Sequence, residues 1–185
     1  MIDDLMQDAE RRMDKSVEST QTEFNTVRTG RASAALLDRI TVQYYEQPTP
    51  LKQLATINVP EPRMLTVQPF DPSSIKDIER AIQESELGLT PSNDGKVIRL
   101  PIPQLTEERR KELVKVVRQI AEDGKVAIRN VRRDADKHLK ELKTKGDVGE
   151  DDERRAEERV QKLTDEHTSK IDDLLKRKEA EITEV

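Results

Sequence analysis

Apolar side chains divide the chain into two flanks with helical periodicity and a middle segment with the alternation of short strands. In the N-terminal flank they recur every three or four residues from Ile2 to Val27, which predicts one buried face on a long helix. We expect this helix to end at Gly30, because glycine suits the left-handed position after a helix. Arg28 then lies in the last turn, where a cation complements the helix dipole.

The C-terminal flank predicts two more long helices. The first begins at Thr106, whose hydroxyl can cap a helix, and its apolar stripe runs from Leu113 to Leu142. Two glycines within residues 146–149 end this helix, and the next one begins near Asp151. Because the connecting turn is short, we expect the last two helices to be antiparallel neighbours in a three-helix bundle with small crossing angles.

The middle of the chain, residues 31–104, contains all nine prolines. A proline inside a helix costs about 3 kcal/mol, so the proline-free flanks and the proline-rich middle indicate separate structures. Asp71 and Pro72 mark the start of a helix in this segment, and Gly88 marks its end. The alternating segments favour short strands at residues 40–44, 54–59, 64–68 and 96–100.

These elements predict an α+β fold, in which a small β/α/β domain is inserted into a long three-helix bundle. The bundle comprises residues 1–30 and 105–185, and the inserted domain comprises residues 31–104. The chain passes twice between the two domains, and two such connections form a two-stranded hinge with a restricted axis. The predicted hinge residues are Gly30, Arg31, Pro103, Gln104 and Leu105.

Composition excludes several functional classes. The chain has no cysteine, which rules out disulfides, a thiol nucleophile and thiolate metal ligands. Glycine-rich phosphate loops are absent, and neither His138 nor His167 has an acidic neighbour at a metal-binding spacing. The acidic N-terminus and the lack of an apolar run of about 20 residues indicate a cytoplasmic protein that does not act in a membrane. We therefore expect neither an enzyme nor a cofactor site.

The charge distribution points to an anionic partner. The net charge is −5, yet residues 105–146 contain 13 basic and 8 acidic side chains, a net of +5. Six cations of this segment share one solvent-exposed side of the predicted helix: Arg118, Lys125, Arg129, Arg132, Arg133 and Lys140. Such a face can neutralise the phosphates of a folded RNA. Glu122 and Asp136 interrupt it, as in an ordinary solvated helix face, so charge alone leaves both interpretations open.

A different class of protein fits the same pattern. A helical-bundle scaffold or a chaperone-like interaction protein also has long amphipathic helices, and we expect it to dimerise through its apolar heptad positions. A self-contained three-helix bundle is expected to be a monomer. Sedimentation distinguishes these two classes.

Six short motifs follow one another along the chain: Arg28-Thr29-Gly30-Arg31-Ala32-Ser33, Tyr44-Tyr45, Pro48-Thr49-Pro50-Leu51, Leu87-Gly88-Leu89, Leu105-Thr106-Glu107-Glu108-Arg109-Arg110-Lys111 and Arg129-Asn130-Val131-Arg132-Arg133-Asp134-Ala135. In their order and spacing they resemble the ribosome recycling factor family over essentially the whole chain. The resemblance implies the same two-domain fold, with an outline like that of a transfer RNA.

The resemblance also implies a function after translation termination. A protein of this family binds the large subunit of the 70S ribosome across the tRNA sites, with its bundle along ribosomal RNA. Elongation factor G, using GTP, then separates the ribosome into subunits, and mRNA and tRNA are released. The implied partners are thus the ribosome, its large-subunit rRNA and elongation factor G, with no role for DNA.

The resemblance also implies which residues contact ribosomal RNA. By position, Arg132 resembles the family's critical bundle arginine. The implied supporting rRNA contacts are Arg129, Arg133, Arg28, Arg31 and Arg110. Two positions depart from the usual pattern, since Glu46 stands where glycine commonly follows the tyrosine pair, and Thr90 stands where asparagine commonly precedes Pro91. Both departures lie in the inserted domain.

Overall fold

The computed structural model describes residues 1–183, in which the chain forms two compact units. Among the described residues, the helical unit contains Met1–Arg28 and residues 107–183, and the inserted unit is Thr29–Thr106. Each connection crosses between units two residues away from the expected position. The difference follows from Gly30 and Leu105, which contact each other and belong to the inserted unit.

The helices in chain order are α1 (Ile2–Asn25), α2 (Ile75–Glu84), α3 (Glu107–Thr144) and α4 (Glu150–Thr183), with short 3-10 turns at Ala34–Leu37, Leu51–Gln53 and Pro72–Ser74. The strands are β1 (Thr41–Tyr44), β2 (Gln47–Pro50), β3 (Ala55–Glu61), β4 (Met64–Pro69), β5 (Ser92–Asn93) and β6 (Ile98–Pro101). The helical unit contains α1, α3 and α4, and the inserted unit contains the other elements. This arrangement confirms the predicted α+β fold.

The apolar stripes of the three long helices meet in the core of the helical unit. Met13, Ile128 and Ile171, one from each helix, are fully buried. The helices approach closely at Gly124 of α3, because a β-carbon there overlaps the Thr20 hydroxyl and lies 3.0 Å from Ile171 Cδ1. Helix packing therefore requires glycine at this position, despite its low helix propensity.

Helix α1 ends earlier than its apolar stripe predicts. Its C-cap is Thr26, whose hydroxyl donates to the Glu23 carbonyl at 2.7 Å, while Thr26 N and Val27 N donate to carbonyls three residues back. This tightening ends the helix at Asn25. The predictions that Gly30 caps the helix and that Arg28 lies in its last turn are therefore wrong. Gly30 lies beyond the helix with a φ of +78°, and a β-carbon there would also lie 2.9 Å from Leu105 Cγ.

The inserted unit contains an antiparallel sheet of order β3-β4-β6-β5 and a separate β1-β2 hairpin. Its core joins Ile78 and Ile82 of α2 to Leu65, Ile98 and Leu100 of the sheet, and all five are fully buried. Strands β2 and β5 were not predicted. β2 contains two prolines, which donate no hydrogen bond and are tolerated at an edge, and β5 has only two residues.

Helix α2 is shorter than predicted at both ends. The Asp71 carboxylate accepts a hydrogen bond from Ser73 N at 3.0 Å, but the turn that follows is 3-10, and the α-helix starts at Ile75. At the other end Ser85 is extended, with its hydroxyl donating to the Ile82 carbonyl at 2.6 Å. Gly88, at φ +66°, therefore lies four residues beyond the last helical residue rather than at the cap.

The β1-β2 hairpin turns at Tyr45 and Glu46, which have φ values of +49° and +65°. A two-residue turn with both φ values positive matches the twist of the strands and favours glycine at its second position. The departure at Glu46 thus leaves a strained residue in an otherwise intact turn. The neighbouring Tyr44 hydroxyl donates to Asp71 Oδ2 at 2.9 Å, and this hydrogen bond raises the Tyr44 pKa to about 12.

Candidate RNA-binding face of the helical unit

The central arginine cluster consists of Arg129, Arg132 and Arg133 on α3. Their spacing follows from the buried stripe, because Ile128 and Val131 point into the bundle and the residues after them flank the core. Arg133 is exposed, whereas Arg129 and Arg132 are partly buried along the edge of the bundle. The helix therefore presents three guanidinium groups within about one and a half turns.

Half of the six predicted cations are neutralised within the helical unit. Arg118 Nε pairs with Glu179 Oε1 at 2.7 Å, and Lys125 Nζ pairs with Asp172 Oδ1 at 2.6 Å. Arg129 Nη2 pairs with a residue of its own helix, Glu122, at 2.8 Å. The two pairs with α4 are the feature that a projection of α3 alone does not reveal.

The other three cations differ in their surroundings. Arg132 Nη1 donates to the neutral side-chain oxygen of Gln161 on α4 at 3.4 Å. Within residues 1–183, the side chains of Arg133 and Lys140 have neither an ion pair nor a hydrogen bond. The positive charge available to an external anion is therefore concentrated on the second half of α3.

Asp136 is the acidic side chain that interrupts this part of the face. Burial raises its pKa above the ordinary value of 3.8, while the nearby Arg132 and Lys140 act in the opposite direction. Among the described residues its buried Oδ1 has no hydrogen-bond donor. The carboxylate is thus poorly stabilised, and its charge opposes the binding of another anion.

Two of the remaining implied contacts, Arg28 and Arg110, belong to the helical unit but do not join the central cluster. Arg110 is on the first turn of α3, about 30 Å along the helix from Arg132 at 1.5 Å per residue. Arg28 follows α1, at the end of the bundle where α3 begins, because α1 and α3 are antiparallel. Arg31 is exposed and belongs to the inserted unit. Within the helical unit, Arg28 and Arg110 thus lie at the end of the bundle where α3 begins, away from the central cluster.

His167 is a buried residue whose interactions the sequence did not predict. Its Nδ1 lies 2.7 Å from the Leu163 carbonyl and its Nε2 lies 2.7 Å from Asp14 Oδ1, on α1. Since a carbonyl only accepts, Nδ1 carries a proton and donates. Asp14 and His167 are far apart in sequence, so no spacing rule could link them. The described residues contain no group of three or more His, Asp or Glu side chains that could hold a metal ion.

Gln161 and its neighbour Asp165 are the residues at this face that sequence reasoning missed. The signal was present as a seven-residue spacing of acidic side chains on α4, at Asp165, Asp172 and Glu179. This spacing predicts ion pairs with α3 only when α4 is aligned antiparallel to it.

No described helix is both long enough and apolar enough to cross a membrane.

A family model described as "Ribosome recycling factor" matches residues 20–183. The chain belongs to the ribosome recycling factor family. A ribosome-recycling factor of Synechocystis sp. is 60% identical over 173 residues, covering 94% of this chain and 95% of its own. Another, from Halalkalibacterium halodurans, is 58% identical over 185 residues and covers all of both chains.

Two solved structures of the family resemble the whole chain. A solution structure of the ribosome recycling factor has a TM-score of 0.76 and 44% identity, covering 100% of this chain and 98% of the other. The second belongs to the models for the T. thermophilus ribosome recycling factor and the E. coli elongation factor G bound to the E. coli post-termination complex. It has a TM-score of 0.66 and 47% identity over 98% of both chains.

Proposed function

We propose that this chain binds the post-termination ribosome and, with elongation factor G and GTP, separates it into subunits, which leads to release of mRNA and tRNA. The observation that carries the proposal is family membership over residues 20–183. The relative bound with elongation factor G to a post-termination complex supports the same partners. The chain acts in the cytoplasm, as a monomer.

The helical unit is the part that holds ribosomal RNA. Arg132 and Arg133 of α3 contact the backbone of the large-subunit rRNA, because their charges have no acidic ion-pair partner among the described residues. Arg129 joins them after its ion pair with Glu122 opens. Arg28, Arg31 and Arg110 are supporting contacts. Arginine suits this role because its planar fork binds phosphate through two hydrogen bonds.

The inserted unit moves relative to the helical unit about the two connections. The hinge comprises Gly30, Arg31, Pro103, Gln104 and Leu105. Gly30 supports this assignment, since it adopts a positive φ that glycine tolerates and lies against Leu105 of the other connection. A bundle fixed on RNA and a second unit with restricted motion allow elongation factor G to transmit a force across the ribosome.

The chain contributes no chemical step of its own. It lacks the glycine-rich loops that hold nucleotide phosphates, so GTP is bound and hydrolysed by elongation factor G. The chain supplies binding, shape and the hinge, and its role is mechanical rather than catalytic. GTP hydrolysis by the chain alone contradicts this part of the proposal.

The proposal is tested by mixing the chain with post-termination ribosomes, elongation factor G and GTP and following light scattering. The expected result is a fall in scattering as subunits separate, and no fall when either the chain or elongation factor G is omitted. A flat signal in the complete mixture contradicts the proposal and favours a helical-bundle scaffold or a chaperone-like protein. Sedimentation of the same sample then tests for the dimer that such a scaffold is expected to form.

A further inference from the structure

Helices α3 and α4 carry opposite charges at matching seven-residue intervals. Arg118 pairs with Glu179 at 2.7 Å, and seven residues further along α3 Lys125 pairs with Asp172 at 2.6 Å, seven residues back along α4. Seven residues correspond to two helical turns, so each step stays on the same side of both helices. We call these evenly spaced ion pairs the ladder, and the same interval predicts that Arg132 pairs next with Asp165.

At Arg132 the partner on α4 is an amide instead of a carboxylate. Gln161 Nε2 donates to Asp165 Oδ1 at 2.9 Å, while Gln161 Oε1 accepts from Arg132 Nη1 at 3.4 Å. Within residues 1–183 no carboxylate oxygen lies within 4.0 Å of the Arg132 guanidinium. An amide therefore stands where the two preceding steps have an ion pair.

The orientation of this amide is determined by its two neighbours. A carboxylate only accepts hydrogen bonds, so Asp165 requires the amino group of Gln161 on its side. A guanidinium only donates, so Arg132 requires the oxygen. The chain of hydrogen bonds thus fixes the Gln161 side chain and gives Arg132 a neutral acceptor.

The difference between a neutral and an ionised acceptor decides what Arg132 can bind. An arginine in an ion pair has its charge compensated by a carboxylate, and that carboxylate also repels an approaching phosphate. The Gln161 amide carries no net charge, so it neither compensates the charge of Arg132 nor repels a phosphate. Asp136 lies on the same helix and influences Arg132, but it makes no ion pair with it among the described residues.

We propose that Gln161, oriented by Asp165, is a positioning residue that holds the Arg132 guanidinium in place without neutralising it, so that its charge remains available to an rRNA phosphate. This inference rests on the proposed function, in which Arg132 contacts large-subunit rRNA. Gln161 acts through Arg132 and touches no RNA itself. Both Gln161 and Asp165 are exposed, so substitutions at either position leave the core intact.

The decisive variant is Gln161→Glu, which places a carboxylate beside Arg132 and completes the ladder of ion pairs. We expect its affinity for the large ribosomal subunit to fall about fivefold, part of the loss expected when a phosphate contact is removed entirely. In an Arg132→Ala background the same substitution is expected to change the affinity less than twofold. Circular dichroism and thermal unfolding of each variant establish that the bundle is folded.

A matched control is available on α3. Gln119 Nε2 donates to Asp123 Oδ1 at 2.9 Å, the same glutamine–aspartate pair four residues apart, on a side of α3 about 140° from Arg132. Gln119→Glu makes the same change of charge in the same local setting. We expect it to alter subunit affinity less than twofold, because no arginine donates to its oxygen among the described residues.

The double-substitution cycle separates failure of the inference from failure of the proposed function. If Gln161→Glu weakens binding equally in the presence and absence of Arg132, the new charge acts on RNA directly and the positioning role is wrong, while the function stands. If Arg132→Ala itself leaves binding unchanged, Arg132 does not contact rRNA, and the positioning role of Gln161 is contradicted as well. A loss confined to the background that contains Arg132 supports the inference.

Discussion

The two halves of α3 carry similar basic side chains in different surroundings. In the first half, Arg118 and Lys125 lie opposite acidic residues of α4 and form ion pairs of 2.7 and 2.6 Å. In the second half, Arg132 contacts an amide and Arg133 has no ion pair within residues 1–183. The first group joins two helices of the bundle, and the second is available to an external anion. A count of basic residues does not separate these two roles, whereas the partners on α4 do.

The largest expected effect comes from removing a cation of the second half. Arg132→Ala is expected to weaken large-subunit binding more than tenfold, since contacts of this type contribute about 1–3 kcal/mol. Arg118→Ala, in the first half, is expected to change binding less than twofold because its charge is already paired with Glu179. Equilibrium binding to isolated large subunits measures both, and equal losses contradict the division between the halves.

A position outside α3 tests whether binding and splitting are separate. Gly30→Ala introduces a β-carbon at φ +78°, 2.9 Å from Leu105 Cγ, and forcing alanine into this conformation costs about 1–2 kcal/mol. We expect slower ribosome splitting with large-subunit affinity unchanged within twofold. Light scattering and equilibrium binding give the two values, and circular dichroism checks the fold. Loss of both activities to the same extent argues against a hinge role for Gly30.

The free energy of unfolding is expected to depend more on the ion pair of the first half of α3 than on Arg132 in the second half. Glu179→Gln removes the carboxylate from the Arg118 ion pair, whose arginine is largely exposed, so the expected loss of unfolding free energy is only about 0.2–1 kcal/mol. Arg132→Ala removes no ion pair but only the attraction of Arg132 to Asp136, so its loss is expected to be no larger. Urea unfolding of both variants provides the comparison. A larger loss for Arg132→Ala shows that this arginine has a structural role.

Another small effect on stability is expected at Asp136, the acid beside Arg132. Burial raises its pKa in the folded protein above 3.8, so the ionised carboxyl lowers stability at neutral pH, and this cost disappears as the pH falls through the folded pKa. Asp136→Asn is therefore expected to stabilise the protein at pH 7 by about 0.5 kcal/mol, a value kept small because the carboxyl is partly exposed. Urea unfolding at pH 7 and pH 4 measures it. A gain that persists unchanged at pH 4 excludes this explanation.

The sequence predicted the long helices well because their apolar stripes reflect one buried face each. It predicted their ends less well, because hydrogen bonds of single hydroxyl groups, at Thr26 and Ser85, decide where α1 and α2 stop. Strand β2 escaped prediction since its prolines are disfavoured in most strands and accepted here at an edge.

The candidate site was predictable in position but not in its electrostatics. Placement of Arg129 and Arg132 beside the core follows from the helical period alone. Their different surroundings depend on Glu122 and Gln161, and the second of these lies on another helix. The register of α4 against α3 results from packing of whole faces, which a single helix does not encode. For the same reason the His167 contact with Asp14 was not foreseen.

The central claim is that Arg132 and Arg133, in the second half of α3, give their charge to RNA phosphate, whereas Arg118 and Lys125, in the first half, give theirs to α4. The most direct test is the salt dependence of large-subunit binding, because each phosphate contact contributes about 0.7–0.9 to the slope of log affinity against log salt. Arg132→Ala is expected to reduce the slope by about that amount, and Arg118→Ala is expected to leave it unchanged. An unchanged slope for Arg132→Ala, or an equal reduction for both variants, contradicts the claim.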